Sequence, residues 1–173
     1  ASCRFVARSI DTLQKHMPTV LKRAHQHKGA SFVEIFQNCI VYNDGTFNRF
    51  TDREVAADNQ IDVVHGEPLI YGKERDKGLR VRPGSMELET VTIGQDGISM
   101  DDILVHDETN RILATMLVAM DPPAFPVTIG VIYCDPAPSY VDNVRAKAAP
   151  RDKAVTRSDI NALLRKGHTW TIE

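Results

Sequence analysis

Hydrophobic and polar positions along the chain follow two periods in turn. "CRFVAR" alternates in the two-residue period of a half-buried strand and is rich in β-forming residues. In the next stretch Leu13, Met17, Val20, Leu21 and Ala24 recur at helical spacing. Pro18 would remove a hydrogen bond from a helix interior, so the helix is expected to begin near Met17, with Pro18 in its first turn. Lys22, Arg23 and Lys28 lie toward its C-terminal end, and Gly29 stands where a cap belongs. "SFVEIFQNCIVY" then reads as a strand, and its near-continuous apolar character predicts burial on both faces, as in a parallel sheet. Strand, helix and strand in this order make a βαβ unit.

From Asn43 to about Pro68 the pattern dissolves into polar residues. Residues 69–94 look like short strands joined by turns at Gly72, Gly78 and Pro83-Gly84. A second helix is expected in "DDILVHDETNRILATMLVAM", with Ile112, Leu113, Met116, Leu117 and Met120 on one face and Asp107 as its N-cap. "PVTIGVIYCD" reads as a further strand. Residues 136–155 are rich in Pro and Ala and read as an exposed arm. A terminal helix over "TRSDINALLRKG" is capped by Thr156, with Asp159 three residues on and Gly167 at its close.

The 173 residues suit one domain, or one domain with an appendage, enough to bury a core without disulfides. A formal charge of −2 gives no argument for nucleic acid or a bilayer surface, and 6% aromatic content does not suggest base stacking. No stretch approaches the apolar length of a membrane span, and no charged segment followed by an apolar one marks a signal peptide. The expectation is therefore a protein with no nucleic-acid and no membrane partner. Cys3, Cys39 and Cys134 are far apart and never in a CxxC, so free thiols in the reducing cytoplasm are expected rather than a disulfide framework. The chain opens without Met directly on a strand, as a fragment or a processed chain would.

Cys39 is the first chemical candidate. At the end of a strand it is either core filling or a soft-metal ligand. His25 and His27 are two apart and share no helix face; His16, His65, His106 and His168 are isolated. The "HDE" at 106–108 fits an acid–base cluster or a helix N-terminus. "GKERDKGLRVR", residues 72–82, fits a grip on a phosphate or acidic partner, or a solvated loop of mixed charge. There is no GxGxxG, Walker loop, GxSxG or Cys–His–Asn constellation, so no catalytic residue is assigned.

The blocks "FVARS", "KRAHQHKGASFVEIFQNCIVYNDGTF", "YGKERDKGLRV", the "HDE" ahead of an apolar helix, and the closing "GHTWTIE" together resemble the β subunit of the 2-oxoacid:ferredoxin oxidoreductases. The likeness is closest to the 2-oxoglutarate type and runs over most of the chain. The first block is specific and the later ones supportive. The family's β subunit binds thiamine diphosphate with magnesium and a 4Fe–4S cluster. The resemblance implies that Cys39 matches the last of four cluster cysteines. The other three, two of them in a CxxC, and the GDG-type motif for the diphosphate lie upstream in that family, and this sequence has neither motif.

The implied fold class is α/β: residues 1–70 as the C-terminal part of a thiamine-diphosphate-binding domain with a parallel sheet, and residues 71–173 as a C-terminal extension packing on it. The implied reaction converts a 2-oxoacid, coenzyme A and oxidised ferredoxin to an acyl-CoA, carbon dioxide and reduced ferredoxin. Implied partners are an α subunit, the missing N-terminal half of the β subunit, and ferredoxin. The same chemistry on pyruvate or another 2-oxoacid is one alternative. A non-catalytic α/β interaction module is another, favoured by the missing motifs and opposed by the retained Cys39.

Overall fold

In a computed structural model the described residues are 3–148, 157–167, 170 and 172. They form two compact units, Ala1–Ala137 and Pro138–Glu173.

In the first unit, β1 (Phe5–Ile10), α1 (His16–Gln26) and β2 (Phe32–Phe36) form the expected strand–helix–strand unit. β1 and β2 run parallel, with Val6 opposite Phe32 and Ile10 opposite Phe36. Pro18 sits in the first turn of α1, where it removes no helical hydrogen bond. The polar stretch that follows holds two helical turns, α2 (Asn48–Thr51) and α3 (Ala56–Asn59), and a strand that periodicity did not announce, β3 (Gln60–Val63). β3 is four residues long, and its alternation is confined to buried Ile61 and Val63.

β4 (Ile70–Tyr71), β5 (Lys77–Val81) and β6 (Leu88–Thr92) make an antiparallel three-stranded sheet. Its turns fall at Gly72 and Pro83-Gly84, as expected. Gly78 is not a turn residue: it lies inside β5, where an added Cβ would come within 2.5 Å of the Ile103 side chain.

The next helix is α4 (Arg111–Val118), and its N-cap is Asn110, not Asp107. The Asn110 carboxamide oxygen accepts from the backbone N–H groups of Ile112 (3.0 Å) and Leu113 (3.1 Å). Asp107 instead accepts from the backbone and hydroxyl of Thr109, ahead of the helix. The buried face of α4 is Leu113, Ala114 and Leu117, while Ile112 faces outward. Asn110→Ala is expected to cost about 1 kcal/mol, the usual value of a lost side-chain cap, measured as a lower urea midpoint at unchanged m.

β7 (Val127–Cys134) completes the larger sheet, whose order is β2-β1-β7-β3. It pairs antiparallel to β1 and parallel to β3, so the sheet is mixed, with β7 its most buried strand. One apolar cluster lies between α1 and the sheet (Phe5, Ala7, Val20, Val131). A larger one joins β3, the small sheet and α4 (Ile61, Leu79, Leu117, Ile132). A third gathers Ile10, Phe50, Val127 and Ile129, with Phe36 and Phe47 against it.

The expectation of a strand buried on both faces at 31–42 is overturned. β2 stops at Phe36, stands at the sheet edge and contains no fully buried residue. Among the described residues only β1 pairs with it, so none of them covers its far side.

The second unit contains α5 (Tyr140–Ala148) and α6 (Arg157–Leu164). Ser139 and Asp142 exchange hydrogen bonds at the start of α5. The expected cap Thr156 lies outside the described residues, as does His168.

Candidate functional site

Past Phe36 the backbone leaves the sheet because a side chain offers it other partners. Asn38 donates its amide to the Asp44 carboxylate (2.8 Å) and accepts from the Gly45 N–H (3.0 Å), closing residues 38–45 into a loop. Inside it the Asn43 N–H donates to the Cys39 carbonyl (3.0 Å), and Cys39 and Asn43 form an isolated antiparallel bridge. Turn formation and orientation of the loop, alternatives for Asn38, Asn43 and Asp44 in the sequence, are thus one structure.

Cys39 is not core filling. Its side chain is exposed, at the base of a turn whose tip is Ile40, Val41 and Tyr42, exposed by 77%, 76% and 91%. The backbone amides of Tyr42, then Val41 and, more weakly, Asn43 face its sulfur and hold the thiol below its ordinary value. This is a thiol presented outward and biased toward thiolate, the form that binds soft metals.

The other cysteines differ. Cys134 is buried at the end of β7, and burial pushes its thiol up. Cys3 donates toward the carbonyls of Phe5 and Ala30. Among the described residues no group of three or more His, Cys, Asp or Glu side chains is placed to hold a metal ion. The residues present therefore fit one ligand of a soft-metal centre. They do not fit a complete site, nor one for a diphosphate-bound magnesium ion.

The "HDE" residues point three ways rather than into one cluster. His106 is buried, with its Nε2 2.9 Å from the Val131 carbonyl. A carbonyl only accepts, so Nε2 carries the proton and Nδ1 is a buried acceptor without a partner. Asp107 turns to Thr109, which holds its carboxyl low. Glu108, largely buried, takes both terminal nitrogens of Arg23 at 2.8 and 2.9 Å, which raises the arginine further.

Burial pushes the His106 imidazole below its usual 6.5 and keeps it neutral in the fold. The unfolded chain takes up this proton first, so the contribution is complete above about pH 6.5 and fades as pH falls toward the lower folded value. Denaturation midpoints are expected to drop as pH falls below about 6.5, with His106→Asn flattening that slope.

Sequence reading missed a second polar cluster. The Ser9 hydroxyl lies 2.9 Å from His16 Nδ1, and His16 Nε2 lies 3.3 Å from an Asp62 carboxylate oxygen. This resembles a nucleophile–base–acid series, but Ser9 is fully buried and cannot reach a substrate. Its work is to join β1, the start of α1 and β3. With Arg23 and His65, His16 and Asp62 border a cavity of about 170 Å³ between α1 and β3. Spacings of seven and forty-six residues gave no local signal for the cluster.

The stretch 72–82 is a mixed-charge surface where three of the cations have partners. Lys77 pairs with Asp58 (2.7 Å), Arg80 with Glu89 (2.7 Å) and Arg82 with Glu87 (2.7 Å). Such pairs neutralise one another and offer a phosphate little net charge.

No family model matches the chain. It is 30% identical over 192 aligned residues to the 2-oxoglutarate oxidoreductase subunit KorB of Mycobacterium tuberculosis, covering all of this chain and 46% of that protein. A solved 2-oxoglutarate:ferredoxin oxidoreductase from Magnetococcus marinus, with 2-oxoglutarate, coenzyme A and succinyl-CoA bound, has a similar fold. The TM-score is 0.51 at 19% identity, over 95% of this chain and 41% of that one. The resemblance read from the motifs is borne out, and the chain spans about half the length of the curated relative it matches.

Proposed function

We propose that this chain is part of the β subunit of a 2-oxoglutarate:ferredoxin oxidoreductase, with Cys39 as one thiolate ligand of a 4Fe–4S cluster. The observation that carries this reading is the Cys39 turn. Its thiol is exposed and faced by three backbone amides, at a position where the motif of the resemblance expects a ligand. A core cysteine would need none of this. The remaining ligands, thiamine diphosphate and its magnesium ion belong in this reading to polypeptide this chain does not span. So does the rest of the thiamine-diphosphate-binding domain whose C-terminal part is residues 1–70, with 71–173 as the extension. An α subunit, ferredoxin, coenzyme A and 2-oxoglutarate complete the proposed set, and the free thiols suit a reducing cytoplasm.

When bound, the cluster supplies one-electron transfer, at a potential set by thiolate supply and hydrogen bonds to sulfur. The chain's own contribution is positional. Asn38 clamps the two ends of the loop, and the amides of residues 41–43 orient and stabilise the Cys39 thiolate. Among the described residues no helix is long and apolar enough to cross a membrane.

The test is an assay of the native assembly. Ferredoxin reduction is expected with 2-oxoglutarate and to require coenzyme A, with pyruvate giving a much lower kcat/KM. Reduction with pyruvate alone would move the assignment to the sister activity. No reduction with any 2-oxoacid would leave the chain as a non-catalytic module.

A further inference from the structure

We propose that Asn38 is the positioning residue of the Cys39 centre. By pinning the base of the turn it holds the amides of residues 41–43 on the Cys39 sulfur, and so sets the reduction potential of the bound cluster. The inference rests on the proposed function and deepens it, because it names the side chain that tunes that same ligand.

The tip of the turn does not hold itself. Ile40, Val41 and Tyr42 are β-branched or aromatic, and none of the three is a turn former. The backbone bond across them runs from the Asn43 N–H to the Cys39 carbonyl (3.0 Å), where the two residues form their isolated bridge. The three side chains are largely exposed, so packing among the described residues does not fix them either.

The support lies one rung lower. Asn38 stands opposite Asp44, donates to its carboxylate (2.8 Å) and accepts from the Gly45 N–H (3.0 Å). Gly45 supplies the left-handed φ of 73° at which the second leg turns away. Below the rung both legs are anchored by aromatic packing. Phe36 ends β2, and Phe47 and Phe50 pack on it with ring centroids 5.1 and 5.2 Å away. Asn38 is thus the polar joint between an anchored base and the tip. Side chains alternate faces along a paired leg, so the joint lies away from the Cys39 sulfur and leaves it open to a metal.

The amides of Tyr42, Val41 and Asn43 face the sulfur only while the tip keeps this shape. Hydrogen bonds to the sulfurs of a cluster set its potential. The positive end of each N–H dipole favours the reduced cluster, which carries one more electron, so ordered amides raise the potential. A released tip lowers it. Cys39 stays a ligand in either case, because its thiol is untouched.

The test is a redox titration of the cluster in the native enzyme that contains this sequence, followed by electron paramagnetic resonance, with amide hydrogen exchange alongside. Asn38→Ala is expected to keep iron content and Tm and to speed exchange of the Gly45 amide at least about tenfold. At a fixed applied potential it is expected to lower the ratio of reduced to oxidised cluster at least about threefold. Asn38→Asp sets two carboxylates against each other and is expected to lower it further. Adding Asp44→Asn to Asn38→Asp rebuilds the rung with donor and acceptor exchanged, at unchanged net charge, and is expected to restore both readings. A wild-type potential in all three variants overturns the positioning role and leaves Cys39 a ligand. A lowered potential that the exchanged pair does not restore overturns it too. Where Asn38→Ala loses iron, the exchanged pair still decides: regained iron supports the rung, and iron not regained overturns it. An unaltered enzyme without a cluster, or a cluster that survives Cys39→Ala, overturns the ligand assignment and this inference with it.

Discussion

With Cys39 a cluster ligand, as proposed, Cys39→Ala is expected to abolish the cluster's visible absorbance and ferredoxin reduction in the assembled enzyme, while the chain keeps its fold. The two halves of this result have separate causes. The thiol is exposed and fills no core space, so truncating it should change unfolding free energy by less than about 0.5 kcal/mol, as is usual for surface positions. The function would be lost because alanine offers no soft donor, and a cluster missing one thiolate is held by too few ligands. Cys39→Ser sharpens the test. It keeps a polar atom before the amides of Tyr42, Val41 and Asn43 but replaces a soft donor with a hard one. Serine is expected to restore the loop without restoring iron content. Iron and sulfide analysis beside thermal unfolding reads both halves at once. Full iron content with normal ferredoxin reduction in the alanine variant would return Cys39 to a structural role.

Gly130→Ala is expected to destabilise the fold far more, by about 3–5 kcal/mol, because backbone strain and overpacking act at one position. Gly130 lies inside β7, between β1 and β3, at φ 103°, a left-handed conformation that alanine adopts only under strain. An added Cβ would meet the Val63 carbonyl at 2.6 Å and an Asp62 carboxylate oxygen at 2.9 Å. Neither neighbour is the free end of a flexible chain. Val63 O is backbone of the next strand, and Asp62 is held by His16. Strain of about 1–3 kcal/mol adds to an overpacking cost of similar size. For a protein of this length the loss corresponds to a Tm lower by roughly 6–20 °C. Gly66→Ala separates the two terms. Gly66 also has positive φ, but nothing lies within 4 Å of its added Cβ, so only the strain remains. Equal losses at both sites would show that the contact with β3 is not what forbids the side chain.

This crowding also explains how the missed polar cluster holds together. The close approach of β7 to β3 at Gly130 brings Asp62 beside the sheet, within reach of His16 at the head of α1. One residue without a side chain thus lets three elements meet. Nothing in the local pattern around "TIGVIY" announced this, because glycine inside an apolar run has several readings.

The amino-acid sequence by itself determined β1, α1, the core run of β7 and the existence of α4. In each, hydrophobic period and local breakers act over a few neighbouring residues. It also carried the resemblance to the 2-oxoglutarate type of oxidoreductase subunit, which the similarity to a curated relative bears out. Only the tertiary structure decided what surrounds those elements. It placed β2 at an edge although its composition suits a covered strand, and it turned Cys39 outward rather than into a core. It also recruited β3 from a stretch with no visible period, and joined Arg23 to Glu108 across eighty-five residues. The reason is physical. A residue's period and capping chemistry depend on neighbours in sequence. Which face is covered, which charge finds a partner and which thiol meets solvent depend on strand order, and strand order is set by contacts between distant segments.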